Sequence, residues 1–182
     1  MIETALQQPI LFSSHYHHKH YISINLLRPI ISTLHRHYAN TMNKTGPIIV
    51  IEDDLDDQEI LEMIFEKLGY ANKVIYFTDG NKALEHLNQS DVQPFLILSD
   101  VNMPKINGFD LRNKIFTNEQ LQTKCIPYLF FTTSADKKSV VDAYAMSVQG
   151  FFLKPSSLQA LENTIRKIVE YWQECIAPSQ YE

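Results

Sequence analysis

The stretch IIVIEDD, residues 48–54, places three acidic side chains directly after four β-branched apolar residues. An uninterrupted apolar run of this length predicts a strand that is covered on both faces, as in a parallel sheet. The sequence contains four further runs of the same character, at residues 74–77, 95–98, 128–131 and 151–153. We therefore expect five buried strands.

Segments with helical spacing separate these strands. The first segment carries apolar residues on one helix face, and Gly69 follows where a C-terminal cap belongs. Asp56 and Glu59 stand at capping-box spacing, as do Ser156 and Gln159 before the last segment. Alternating strands and helices of this size predict an α/β fold, a doubly wound five-stranded parallel sheet with five helices.

Charge divides the 182 residues into two unequal parts, within a net charge of −5. Residues 1–46 contain one acid, four bases and six of the seven histidines, whereas residues 47–182 contain 20 acids and 12 bases. The acidic balance argues against nucleic-acid binding as the main activity. Two cysteines form no disulfide or zinc pattern, and no apolar run reaches 18 residues, which excludes a membrane span. We expect a domain at 47–176 and a short tail at 177–182.

Residues 1–46 match no pattern that predicts a function. Our preferred hypothesis is that this N-terminal extension is a start-site artefact with the true start at Met42. If the extension is translated, we expect it to be flexible or to form one loose helix around residues 22–38. The histidine-rich run at residues 15–20 could bind a metal, but we do not favour that interpretation. The segment lacks the layout of a signal peptide.

Polar side chains follow four of the five predicted strands. Glu52 and Asp53 follow the first strand, Asp100 the third, Thr132 the fourth and Lys154 the fifth. Each has an ordinary interpretation when taken singly, such as a helix cap, a turn or a solvated lysine. Ligands of open α/β sheets bind beyond the carboxyl ends of the strands, so the joint placement favours a site. Crowded carboxylates need a cation, and oxygen ligands favour Mg²⁺, while a lysine and a hydroxyl suit a phosphoryl group.

Residues 47–175 resemble the receiver domain of two-component response regulators. The resemblance rests on four motifs: IVIEDD at 49–54, SDVNMP at 99–104 followed by Gly108, FTTS at 131–134, and FFLKP at 151–155. It implies a flavodoxin-like sheet with strand order 2-1-3-4-5. It also implies that Asp100 accepts a phosphoryl group, and that Glu52, Asp53, Asp100 and the backbone carbonyl of Asn102 hold Mg²⁺.

The resemblance assigns the remaining site residues to the phosphoryl group and to a switch. Thr132 would donate a hydrogen bond to the phosphoryl group and Lys154 would pair with it. Thr132 and Phe151 would then move together, although Phe151 lacks the hydroxyl of a tyrosine. A cis peptide bond between Lys154 and Pro155 is also implied.

The same resemblance implies partners and a place in the cell. A sensor histidine kinase or a histidine phosphotransfer protein would supply the phosphoryl group, and the protein would catalyse only its own phosphorylation and dephosphorylation in the cytoplasm. Only about ten residues follow Trp172, so we expect a single-domain regulator without a DNA-binding domain, similar to chemotaxis-type regulators or those that partner phytochrome-type kinases. The 135–175 face could form a homodimer through Phe152, Ile168 and Trp172, unless these residues are core.

Other functions fit the residues less well. A haloacid-type phosphatase requires a second aspartate two residues after the nucleophile, where this chain has Asn102. A flavodoxin requires a phosphate-binding loop rich in Ser, Thr and Gly after the first strand, and none is present. A phosphate sink, or a pseudo-receiver that acts only as an interaction module, stays open as an alternative.

Overall fold

A computed structural model describes residues 43–89 and 91–176. The expectations for residues 1–42, including the start at Met42 and the histidine-rich run, lie outside the described residues. The same holds for the tail at 177–182.

Five parallel strands form one sheet in the order β2-β1-β3-β4-β5. They are β1 (Ile48–Ile51), β2 (Val74–Phe77), β3 (Leu96–Ser99), β4 (Tyr128–Thr132) and β5 (Gly150–Leu153). Each strand lies within one residue of its predicted position, and the predicted strand order is confirmed. All residues of β1, β3 and β4 are buried, as uninterrupted apolar runs predict, whereas the edge strand β2 is half-buried.

The described part of the chain contains six helices, one more than expected. They are α1 (Leu55–Leu68), α2 (Gly80–Leu87), α3 (Gly108–Phe116), α4 (Glu119–Thr123), α5 (Lys137–Ala145) and α6 (Leu158–Glu174). The additional helix is α4, because the Asn118 side chain accepts the N–H groups of Gln120 and Leu121 and so starts a second helix between β3 and β4. None of these helices is both long enough and apolar enough to cross a membrane.

The side chains of β1 divide between two cores, because successive residues of a strand point to opposite faces. Ile48 and Val50 pack in a cluster that includes apolar residues of α1 and α6. Ile49 and Ile51 pack in a second cluster that includes residues of α2, α3 and α5. Helices therefore cover both faces of the sheet, and its strand ends are free to form a site.

The N-terminal caps differ from the predicted capping boxes. Asp54, not Asp56, caps α1, and its carboxylate accepts the N–H groups of Asp56 and Asp57. Ser157, not Ser156, caps α6. The cap of α1 therefore lies two residues before its predicted position, and the cap of α6 lies one residue after it. Gly69 has a φ of +65° after α1, so the predicted C-terminal cap is confirmed.

Hydrogen bonds join residues 43–46 to the last turn of α6 and to the segment before β2. The Lys44 ammonium donates to the Gln173 carbonyl at 2.6 Å, and Gln173 Nε2 reaches the Lys44 carbonyl at 3.4 Å. The side chain of Asn72 donates to the carbonyls of Lys44 and Gly46 at 2.8 and 2.7 Å. These four residues, which precede the predicted domain start, are therefore packed against the domain.

Candidate functional site

The carboxyl ends of four strands bring the predicted site residues to one edge of the sheet. Glu52 and Asp53 follow β1, Asp100 follows β3, Thr132 ends β4 and Lys154 follows β5. The pairing of Ile51 with Ser99 and of Thr132 with Leu153 sets these strand ends side by side. The structure thus collects the residues, while their roles stay predictions.

Three carboxylates form the centre of the site. One oxygen each from Glu52, Asp53 and Asp100 lies within 4.8 Å of the others. The pKa of Glu52 is raised to about 7, chiefly by burial and in smaller part by the charge of Asp100, against the hydrogen bond and charge of Lys154, which lower it. Such a set of oxygen donors, crowded and largely buried, fits a divalent cation of the Mg²⁺ type.

The Asp100 carboxylate is held by its own backbone. The N–H of Val101 donates to Asp100 Oδ1 at 2.7 Å, and the N–H of Asp100 donates to the Ile51 carbonyl at 2.8 Å. Helix α3 begins against this loop at Gly108, whose N–H donates to the Val101 carbonyl. A Cβ at Gly108 would lie 2.3 Å from the Asp100 carbonyl oxygen, so this close approach requires glycine.

Thr132 places an unpartnered hydroxyl beneath the site. Its side chain is buried, and within the described residues Oγ1 has no hydrogen-bond partner. A buried hydroxyl without a partner destabilises a fold by about 1–3 kcal/mol. An orphaned hydroxyl at the end of β4 is therefore matched to an incoming group with oxygen acceptors, such as a phosphoryl group.

Lys154 is held by two carboxylates, those of Glu52 and Asp57. Glu52 is a predicted site residue, whereas the sequence pattern does not identify Asp57 as one. The Lys154 ammonium donates to Glu52 Oε2 and, at 2.6 Å, to Asp57 Oδ2. Burial lowers the pKa of Lys154, but these hydrogen bonds and the charge of Asp100 outweigh it, so the pKa is raised overall. Asp57 lies in the first turn of α1, where an acidic residue is usual for its effect on the helix dipole alone.

The implied cis bond is wrong for this structure. Within residues 43–89 and 91–176 every peptide bond is trans, including the bond between Lys154 and Pro155. Trans is also the isomer that X–Pro bonds prefer. The Lys154 N–H extends the sheet to the Thr132 carbonyl at 2.7 Å, and the chain then reaches the Ser157 cap within three residues without a cis bond.

Asn102 and Phe151 lie at the margins of the site. Asn102 is exposed at its mouth, where Nδ2 lies 3.3 Å from Ser134 Oγ. Phe151 is half-buried, with its ring centroid 5.7 Å from that of Phe130 in the second core. The roles of the Asn102 carbonyl as a metal ligand and of Phe151 as a switch residue stay predictions.

The three candidate dimer residues belong mainly to the core. Ile168 is only 3% exposed, whereas Phe152 and Trp172 are half-buried and pack against the same cluster. The large apolar side chains that residues 135–175 expose are instead Val141, Tyr144, Leu153, Leu158 and Tyr171.

Comparison with known protein families identifies the family to which this chain belongs. Residues 48–166 match the family described as the response regulator receiver domain. The chain belongs to this family. The receiver fold accounts for the sheet order and for the acidic cluster at the strand ends, and the resemblance seen in the sequence motifs is confirmed.

Two curated relatives cover most of the receiver. Response regulator Rcp1 of Synechocystis is 28% identical over 143 residues, which cover 76% of this chain and 96% of the relative. Chemotaxis protein CheY-3 of Vibrio cholerae is 30% identical over 129 residues, covering 71% of this chain and 95% of the relative.

Solved structures of response regulators have a fold similar to that of this chain. The phosphorylated cyanobacterial phytochrome response regulator RcpA superposes with a TM-score of 0.67 at 25% identity, covering 74% of this chain and 99% of its own. The Mn²⁺-bound form of Rcp1 gives a TM-score of 0.63 at 26% identity, covering 72% and 96%.

Proposed function

We propose that this receiver accepts a phosphoryl group on Asp100 in a Mg²⁺-dependent reaction and thereby changes its affinity for a partner. The donor is the phosphohistidine of a sensor histidine kinase or of a histidine phosphotransfer protein in the cytoplasm. The protein acts only on itself, in phosphorylation and in hydrolysis of the product. The observation that carries the proposal is the convergence of three carboxylates with the orphaned Thr132 hydroxyl and the Lys154 ammonium.

The transfer step needs one nucleophile and few other groups. An oxygen of the Asp100 carboxylate attacks phosphorus, the P–N bond of the phosphohistidine breaks, and the imidazole leaves with the bonding electron pair and takes a proton from solvent. The Val101 N–H, on Oδ1, orients the attacking carboxylate. Thr132 and Lys154 supply a hydroxyl donor and a positive charge for the phosphoryl oxygens.

Glu52, Asp53, Asp100 and the carbonyl of Asn102 would hold Mg²⁺. When bound, the ion neutralises charge on the phosphoryl oxygens and on the crowded carboxylates. Two similar structures support this assignment, because one is the phosphorylated form of RcpA and the other is the Mn²⁺-bound form of Rcp1.

Three further parts of the proposal concern output. Phosphorylation would shift Thr132 and Phe151 together and change the face that α5, β5 and α6 form. A homodimer through residues 135–175 is one use of that face, and the exposed side chains of Tyr144 and Leu153 support it better than the buried Ile168 does. A phosphate sink or a pseudo-receiver without regulated output is the alternative. An aspartate-nucleophile phosphatase is disfavoured, because Asn102 stands where such an enzyme has its second aspartate.

The test uses acetyl phosphate as a small donor. With Mg²⁺, intact-mass measurement should find one phosphoryl adduct per chain. With a chelator in place of Mg²⁺, the adduct should be absent. A chain that stays unmodified at saturating acetyl phosphate and Mg²⁺ would show that it is a pseudo-receiver.

Thr132→Val should raise the stability of the protein and lower its rate of phosphorylation. Valine has nearly the shape of threonine and removes the orphaned hydroxyl, so we expect the free energy of unfolding to rise by about 1 kcal/mol in urea titrations. The rate of adduct formation should fall, because the phosphoryl oxygens lose a donor. A drop in stability would indicate that the hydroxyl already has a partner in the resting protein.

A further inference from the structure

The resting position of Lys154 is displaced from the residue it is proposed to serve. Its ammonium contacts Glu52 and Asp57, yet within the described part of the chain no ion pair of 4.0 Å or less joins Lys154 to Asp100. The side chain of Lys154 is only 8% exposed, so solvent does not compete strongly for its charge. In the resting protein the Lys154 ammonium therefore pairs with Glu52 and Asp57 and not with Asp100, the proposed phosphoryl acceptor.

Asp57 lies within hydrogen-bond distance of Lys154 and is not needed to cap α1. Asp54 already caps α1 and bonds to the backbone N–H of Asp57, which fixes the start of the helix. The carboxylate of Asp57 makes its one side-chain hydrogen bond within the described residues to Lys154, across 97 positions of sequence. At 32% exposure the Asp57 side chain is close enough to solvent to be released without burying an unpaired charge.

We propose that Asp57 is a positioning residue that holds Lys154 in a latched state and competes with the phosphoryl group on Asp100 for its ammonium. This inference rests on the proposed function. Glu52 cannot act as the latch in the loaded site, since it is one of the predicted ligands of Mg²⁺. Asp57 lies outside the group of three carboxylates, so a cation bound by that group does not require Asp57 to release Lys154.

The latch has a thermodynamic consequence. A ligand that needs a released Lys154 binds with an apparent affinity reduced by the released fraction, so removing Asp57 should strengthen binding by about fivefold if the latch is mostly closed. The binding of Mg²⁺ alone does not need Lys154 and should show no such gain.

The experiment measures binding of beryllium trifluoride, a phosphoryl mimic, at saturating Mg²⁺ by calorimetry. Asp57→Asn, and Asp57→Ser as a second variant in case the first misfolds, should bind the mimic about fivefold more tightly than the wild type. Asp57→Glu keeps the carboxylate and should restore an affinity close to that of the wild type. Affinity for Mg²⁺ alone is measured in parallel on every variant.

Asp56→Asn is the matched control. Asp56 lies in the same helical turn, is exposed, and loses the same charge when it is changed to Asn. Among the described residues, the ion pairs of Lys154 are with Glu52 and Asp57 and not with Asp56. The affinity of Asp56→Asn for the mimic should stay near that of the wild type.

The outcomes distinguish a failure of the Asp57 latch from a failure of the proposed phosphoacceptor function. Unchanged or weaker binding of the mimic in both Asp57 variants overturns the latch, as does an equal gain in Asp56→Asn, which would indicate a general charge effect. A wild type that neither binds the mimic nor forms an adduct with acetyl phosphate overturns the proposed function, and the latch with it.

Discussion

Asp100→Asn should abolish the phosphoryl adduct completely. The amide that replaces the carboxylate has no anionic oxygen to attack phosphorus, and the other carboxylates of the site, Glu52 and Asp53, are the predicted cation ligands. With acetyl phosphate and Mg²⁺, intact-mass measurement should therefore find only unmodified protein, whereas the wild type carries one adduct.

Asp110→Asn is the control for this loss. Asp110 is an exposed carboxylate on α3 that accepts a hydrogen bond from Asn107 Nδ2 at 3.0 Å, and it lies outside the acidic cluster. The variant should form the adduct at the rate of the wild type. If Asp100→Asn is still modified, the phosphoryl group goes to another residue and the site assignment is wrong.

Lys124→Met should cause the largest loss of stability. The Lys124 ammonium is buried and donates to three carbonyl oxygens, those of Leu87, Gln89 and Val92, each at 2.8 Å. Methionine fills a similar volume but leaves these carbonyls without their donor. We expect the free energy of unfolding to fall by about 3 kcal/mol, a large share of the stability of an ordinary domain.

Urea titration with Lys114→Met as the control measures this effect. Lys114 is exposed on α3, and the same substitution there should change the free energy of unfolding by less than about 0.5 kcal/mol. Equal losses in the two variants would mean that the carbonyls find water when Lys124 is removed.

The sheet and the location of the site follow from the sequence because they depend on local pattern. A fully buried strand needs an uninterrupted apolar run, and Ile48–Ile51 is such a run, followed at once by the acidic residues. In a parallel sheet all such strand ends meet at one edge, so Asp100 and Lys154 could be placed near Glu52 without any knowledge of distances.

The remaining features depend on contacts between distant residues. The bond between Asp57 and Lys154 joins a helix turn to a strand end, and no spacing in the sequence distinguishes Asp57 from Asp56. The caps at Asp54 and Ser157 depend on which side-chain oxygen reaches the free N–H groups of the first helical turn. The second helix after Asn118 depends in the same way on a single side chain. The capping boxes and the helix count were wrong for that reason.

The bonds between Lys44 and Gln173 make the receiver a candidate for circular permutation. They bring the segment before β1 and the last turn of α6 within reach of one lysine side chain. A short linker can therefore join residue 174 to residue 43, and new chain ends can be opened in an exposed loop, as compact domains with neighbouring ends tolerate. Because the strands run from that junction toward the acidic cluster, the linker would lie at the end of the sheet opposite Asp100, away from the candidate site.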